Sequence, residues 1–223
     1  MPIVGQQKVS FIDFPELIST VFFVPYCNFH CPYCHNASLL KGKHEEISFD
    51  KIKDFFKTKR PGMVEGVVIT GGEPTIQKDI EEIIHFFNTE IGLKLKLDTN
   101  GACPEVIEKA QVDYIALDFK TDRKTYQKLT SIENIYDNIL ETLNVLMVRD
   151  IPYELRITAA PNFINMAKLE NMVKDIPKGA RIRLQAFKNT NCLDPSMKDI
   201  KVYSEDGMEK FRTFLKGLGF ILL

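Results

Sequence analysis

Cys27, Cys31 and Cys34 fall within the run Cys-Asn-Phe-His-Cys-Pro-Tyr-Cys-His-Asn that occupies residues 27 to 36. The spacing is three residues, then two, so three thiols converge in one loop. The irons of an iron-sulfur cluster take cysteine thiolates as ligands, and a four-iron cluster held by three of them leaves one iron open to a further molecule. Three other uses of these residues compete. A structural zinc site could draw its fourth ligand from His30 or His35. Cys31 to His35 also spells C-x-x-C-H, the haem-attachment pattern, but covalent haem requires export and would leave Cys27 idle. A chance group of core cysteines is disfavoured by Pro32, Asn28 and two histidines in what reads as a loop.

A second element is Gly71-Gly72-Glu73-Pro74, which follows the β-branched run from Val67 to Thr70 and precedes a helical pattern. Two glycines at a strand end allow positive φ and a close approach of backbone to a ligand. A Gly-Gly turn is also ordinary turn chemistry. Two further strand-like runs end in polar residues: Lys96-Leu97-Asp98-Thr99-Asn100-Gly101 and Ala116-Leu117-Asp118-Phe119-Lys120. Arg156 interrupts an otherwise apolar strand and, if the alternation holds, points to the interior. Taken singly, each Asp or Lys reads as a helix cap or a surface charge. Ligand sites of parallel βα architectures lie at the carboxyl ends of strands, however, and recurrence there puts Asp98, Asn100, Asp118 and Lys120 on one rim with the cysteines.

These groups need a scaffold. Strands are predicted near 19–24, 65–70, 93–98, 112–118, 153–158 and 181–186, alternating with helices over 49–59 (entered from Ser48), 76–88, 104–110, 132–149, 166–175 and 204–216. That alternation predicts parallel strands joined by crossover helices. Ile132, Ile135, Ile139, Leu143 and Leu146 recur at helical spacing and form a core face, while Tyr114 to Leu117 suit a strand covered on both sides. Six βα units are fewer than the eight that close a full barrel, so the expected fold is α/β, an open, partial (β/α)6 barrel. No repeat or linker divides the 223 residues. One domain over 1–223 is expected, with an N-terminal extension over 1–17 and a C-terminal loop and helix over 188–223 covering the barrel's open side.

Composition narrows the function classes. The chain has 29 basic and 30 acidic residues, a net charge of -1, so no overall field draws it to nucleic acid or an anionic membrane. Its apolar stretches fall far short of the ~20 residues that span a bilayer. The first ten residues carry no secretory pattern, which predicts a cytoplasmic location. Five cysteines, three of them crowded together in a reducing compartment, suit ligation better than disulfides.

The three-cysteine loop followed by Gly-Gly-Glu-Pro resembles the radical S-adenosylmethionine superfamily. The wider pattern is similar to the activases of glycyl radical enzymes, most of all the anaerobic ribonucleotide reductase activating proteins. It includes Val9 to Pro15, Cys31 to Asn36, Gly71 to Thr75, Leu97 to Gly101, Leu117 to Lys120 and Leu193-Asp194-Pro195. The resemblance implies a [4Fe-4S] cluster on Cys27, Cys31 and Cys34 whose open iron is chelated by the amino and carboxylate groups of S-adenosylmethionine. It also implies Tyr33 beside the adenine, Gly71, Gly72 and Glu73 at the methionine amino group, and Asp98, Asn100, Asp118, Lys120 and Arg156 as candidates for ribose and carboxylate. The implied activity is that of an anaerobic oxidoreductase. One-electron reduction of the sulfonium yields a 5'-deoxyadenosyl radical that takes hydrogen from a glycine of a partner enzyme, with a flavodoxin or ferredoxin as electron donor.

Departures from the family pattern are specific. Many relatives carry Gly before the first cysteine, where this chain has Tyr26, and Gly after Asp-Phe-Pro, where it has Glu16. Lys188 stands where the pyruvate formate-lyase activases have a histidine. Only Cys103 and Cys192 remain, too few for the inserted ferredoxin-like domain of some activases. Two rivals stay open: a radical enzyme acting on a small molecule in modified-base or cofactor synthesis, and a non-catalytic zinc or electron-transfer protein.

Overall fold

The six apolar runs become six parallel neighbours in the computed structural model, which describes residues 2–59 and 62–223. They are β2 (Ser19–Val24), β3 (Gly66–Gly71), β4 (Lys94–Thr99), β5 (Tyr114–Asp118), β6 (Tyr153–Ala159) and β7 (Arg181–Ala186). Two short strands at the edges escape the sequence reading. β1 (Gly5–Ser10) pairs antiparallel with β2, and β8 (Ile221–Leu222) pairs parallel with β7. β1 is Gly-Gln-Gln-Lys-Val-Ser, which carries no apolar alternation, and β8 is only two residues long. The sheet runs in strict order from β1 to β8 and stays open, as an α/β partial barrel. Met1, the first residue of the expected N-terminal extension, lies outside the described residues, and β1 occupies part of the remainder.

Crossover helices are α1 (Phe49–Asp54), α2 (Ile80–Phe86), α3 (Pro104–Lys109), α4 (Arg123–Thr130), α5 (Ile135–Arg149), α6 (Met166–Met172) and α7 (Glu205–Gly217). Their starts follow local capping chemistry: Ser48, Asp122, Asn165 and Ser204 each accept a backbone N–H from the first turn. α2 begins later than expected because Pro74–Ile76 forms a separate 3-10 turn, its Glu73 cap accepting from Thr75 N. α4 is absent from the sequence reading. Its only buried apolar residues, Tyr126 and Leu129, are too few to show a period, and its Asp122 cap is its clearest signal.

The sheet's two faces differ, and this difference positions the site. Leu97, Ile115, Leu117, Leu155 and Ile157 point outward into the main core, where Ile139, Leu143 and Leu146 of α5 cover them. At roughly 1.5–3 kcal/mol per fully buried aliphatic side chain, this outer layer supplies much of the fold's stability. The inner face holds a small apolar plug of Phe14, Val21, Val68 and Tyr114. Of the remaining inner positions of β4, β5 and β6, Ala116 is small and Lys96, Asp98, Asp118, Glu154 and Arg156 are polar. Among the described residues no helix is long and apolar enough to cross a membrane.

Candidate functional site

The loop after β2 carries the cysteines. It turns through Tyr26, held at φ 58 in the left-handed region, with Tyr26 N donating to Leu39 O at 2.8 Å and its hydroxyl to Gly42 O at 3.2 Å. Cys34 N then donates to Cys31 O at 3.0 Å, tightening the second half of the loop. Cys31 is buried, Cys27 and Cys34 are half-buried, and all three are free. Burial pushes their thiols up, Cys27 to about 12, with help from the Glu73 charge, and Cys31 to about 11. A thiol must lose its proton on binding a metal, so ligation and deprotonation are coupled here.

The Gly-Gly turn docks on that loop. Gly72 N donates to Val24 O at 2.8 Å and Glu73 N to Tyr26 O at 2.7 Å. Gly71 has φ 119, which L residues rarely adopt. Gly72 is glycine for another reason: a Cβ there would sit 1.7 Å from the Tyr26 carbonyl oxygen. The close approach expected toward a ligand is therefore, at Gly72, an approach to the chain's own cysteine loop. Asn36 Nδ2 adds a bond to Gly71 O at 2.8 Å.

Glu73, 1% exposed, has both oxygens committed. Oε1 accepts from Thr75 N, Thr75 Oγ1 and Thr99 Oγ1, and Oε2 accepts from Asn100 N at 2.7 Å. The carboxylate thus buckles the end of β3 to the end of β4. Burial pushes its carboxyl above the ordinary carboxylate value, and the four donors oppose that shift without cancelling it.

Next to it lies an ionic ladder across three strands. Arg156 reaches Asp98 at 2.5 Å and Asp118 at 2.7 Å, Lys120 pairs with Asp118 at 2.9 Å, and Lys96 pairs with Asp98 at 2.8 Å. Burial alone would raise both carboxyls. At Asp98 the Arg156 and Lys96 cations outweigh it, at Asp118 the Arg156 and Lys120 cations do, and both groups lie below the usual carboxylate range. Arg183 extends the ladder with a bidentate pair to Glu154, Nη2 donating to Oε2 at 2.9 Å and Nε to Oε1 at 3.1 Å. Sequence reasoning missed Glu154 and Arg183, although the inward alternation that flagged Arg156 also includes Glu154.

Tyr33 packs its ring against Phe163 and Phe187, with centroids 5.5 and 6.3 Å away. Its hydroxyl is buried with no partner. His35 gives Nε2 to the Lys188 carbonyl at 2.8 Å and stacks on Phe187, and His30 is exposed. Neither histidine joins the thiols. Among the described residues, no three His, Cys, Asp or Glu side chains gather around a single metal ion. The 188–199 segment lies on the cysteine loop, with Leu193 N donating to Cys34 O and Asp194 N to Pro32 O, each at 2.9 Å.

All twelve residues singled out in the sequence line one cleft of about 140 Å³, joined by Phe29, Asn36, Thr70 and Thr99. Three free thiols, an orphaned buried hydroxyl and a cleft beside a charged rim fit a thiolate-ligated cluster with a polar organic cofactor next to it.

Fold and site together define a class: an open parallel βα barrel that presents three thiols from one loop at the carboxyl ends of its strands. The sequence profile of the Radical SAM superfamily matches residues 21–176, and the chain belongs to that superfamily, whose members use a [4Fe-4S] cluster and S-adenosylmethionine. A Methanocaldococcus jannaschii protein, named provisionally as a glycyl-radical enzyme activating enzyme, is 30% identical over 224 residues, covering 95% of this chain and 90% of that protein. GTP 3',8-cyclase of Helicobacter pylori is 34% identical over 133 residues, covering 53% of this chain and 40% of the cyclase. Streptococcus suis SuiB, solved bound to its precursor peptide SuiA, shares the fold with a TM-score of 0.67 at 16% identity, covering 91% of this chain and 48% of that one.

Proposed function

We propose that this chain is an activase: a radical S-adenosylmethionine enzyme that takes hydrogen from a glycine of a partner glycyl radical enzyme, of the anaerobic ribonucleotide reductase type. The observation that carries the reading is the extent of likeness. The activating relative matches over 95% of this chain, against 53% for the cyclase. In this reading Cys27, Cys31 and Cys34 hold the cluster. A cluster bound there would supply the electron for reductive cleavage of S-adenosylmethionine, the chemistry that hydrogen abstraction from a glycine needs.

The chain's own residues bind, orient and exclude water. The backbone of Gly71, Gly72 and Glu73 faces the methionine end, and Tyr33 lies beside the adenine with its free hydroxyl. Asp98, Asp118, Lys120 and Arg156 neutralise one another and wall the cleft, so that their charges are fixed before a ligand arrives. Lys120, which burial would push down, is held protonated by Asp118. The single-domain organisation, the 188–223 cover, the flavodoxin or ferredoxin donor and the cytoplasmic location belong to the same reading.

The test is direct. Reduced, reconstituted protein, S-adenosylmethionine and an anaerobic ribonucleotide reductase from the same source should yield 5'-deoxyadenosine and a stable radical on the reductase, seen by electron paramagnetic resonance. Oxygen should then cut the reductase at that glycine. Should no glycyl radical protein of the host acquire a radical while a small metabolite supports stoichiometric 5'-deoxyadenosine, the small-molecule reading replaces this one.

A further inference from the structure

Asn100 follows the last residue of β4 and is 3% exposed, with its side chain already committed. Oδ1 accepts from Ala102 N at 3.0 Å, which identifies the other terminal atom as the nitrogen. Nδ2 has two hydrogens and two acceptors: Asn28 Oδ1 at 2.8 Å and Cys27 Sγ at 3.7 Å. The backbone N donates to Glu73 Oε2, so the buckle between β3 and β4 fixes where this amide points. Both amide hydrogens are thus spent, and no donor of the side chain remains for a ribose hydroxyl or a carboxylate.

Cys27 is set apart by this contact. Its sulfur receives Phe29 N at 3.3 Å from its own loop and Asn100 Nδ2 from a different strand. The donor that reaches Cys34 is the Asn36 backbone, again within the loop. Hydrogen bonds to ligand sulfurs are among the levers that set a cluster's potential. Reduction adds negative charge that spreads onto those sulfurs, and the positive end of an N–H dipole stabilises it.

We infer that Asn100 raises the potential of the cluster by donating to Cys27 Sγ, with Glu73 holding it in place, and that Asn100 is a positioning residue for electron entry, not a ligand of S-adenosylmethionine. The inference rests on Cys27 being a cluster ligand, as proposed above. Its physical content is a dipole in a buried setting, where such a contact counts for more than in water.

The experiment is a redox titration, without S-adenosylmethionine, of the anaerobically reconstituted full chain and of Asn100→Ala, Asn100→Asp and Asn28→Ala, with iron counted in each. At equal iron content both Asn100 variants should shift the midpoint to more negative potential. Asn100→Asp should shift it further, because a carboxylate replaces a donor with a negative charge. Asn28→Ala spares the donor and removes its oxygen neighbour, which also lies 3.8 Å from Cys27 Sγ; losing that negative dipole end should leave the midpoint near that of the parent or slightly more positive, opposite in sign to Asn100→Ala. Equal midpoints for parent and Asn100 variants overturn the proposal. So does a shift in Asn28→Ala that matches Asn100→Ala, which would make the bond to Asn28 the operative one. Loss of iron from both Asn100 variants but not from Asn28→Ala also overturns it, by assigning Asn100 to cluster retention. A Cys27→Ala variant that keeps four irons and an unchanged signal marks failure of the ligation reading instead.

Discussion

Glycine in this chain answers to its own backbone as much as to any ligand. Gly72→Val would drive a branched side chain into the Tyr26 carbonyl, the residue before Cys27. The expected outcome is loss of iron binding together with cofactor binding, and a destabilisation of at least about 1–3 kcal/mol from overpacking. Iron content and melting temperature check it. A variant with full iron content that fails only to bind S-adenosylmethionine would show that contact with the ligand, not with Tyr26, requires glycine at position 72.

The two positions where relatives carry Gly instead of Tyr26 and Glu16 are both left-handed here, at φ 58 and 65. Their departure from the family pattern is therefore a backbone matter. Glu16→Gly should stabilise the chain by up to about 1 kcal/mol, since the roughly 1–2 kcal/mol of left-handed strain it relieves is partly offset by the freer unfolded chain. Urea unfolding of the cluster-free protein measures this. Tyr26 has compensation in its bond to Gly42 O and an edge contact with His44, 5.7 Å between centroids, so Tyr26→Gly should show no such gain.

At the scale of elements, β4, β5 and β6 are joined on their inner faces by charge instead of by apolar packing. Asp98 and Asp118 have folded values depressed below the unfolded value, so the stability they contribute is present above about pH 4 and is lost as pH falls through the folded values. The contribution of these two carboxyls should be level from pH 7 to about 5 and decline below about 4. Asp98→Asn should flatten that acid limb while lowering stability at pH 7, because Arg156 and Lys96 lose a buried partner. Thermal melts of the cluster-free protein at a series of pH values provide the measurement, and an acid limb unchanged in Asp98→Asn would refute the assignment. Element identity was largely legible beforehand, since the six runs that became β2 to β7 carry β-branched or apolar residues at strand spacing. α4 and β1 were not, because Arg123–Thr130 and Gly5–Ser10 owe their conformations to a cap and to an edge pairing, neither of which leaves a period.

For the molecule as a whole, chain order and strand order coincide, so every crossover returns to a neighbouring strand and all carboxyl ends but that of β1 share one rim. That regularity is why polar residues at successive strand ends could be assembled into one cleft from sequence alone. By itself the sequence determined the parallel βα architecture, the three-thiol loop and the membership of the rim, because these follow from periodicity, residue type and spacing along the chain. Only the tertiary structure decided which rim groups are already spent on each other. It showed that Glu73 is a buckle, that Asp98, Asp118, Lys120 and Arg156 neutralise one another, that Gly72 yields to Tyr26, and that the Asn100 amide turns to the Cys27 sulfur. Those outcomes depend on distances of a few ångströms between residues up to 73 positions apart, set by sheet register and burial, which no local pattern encodes.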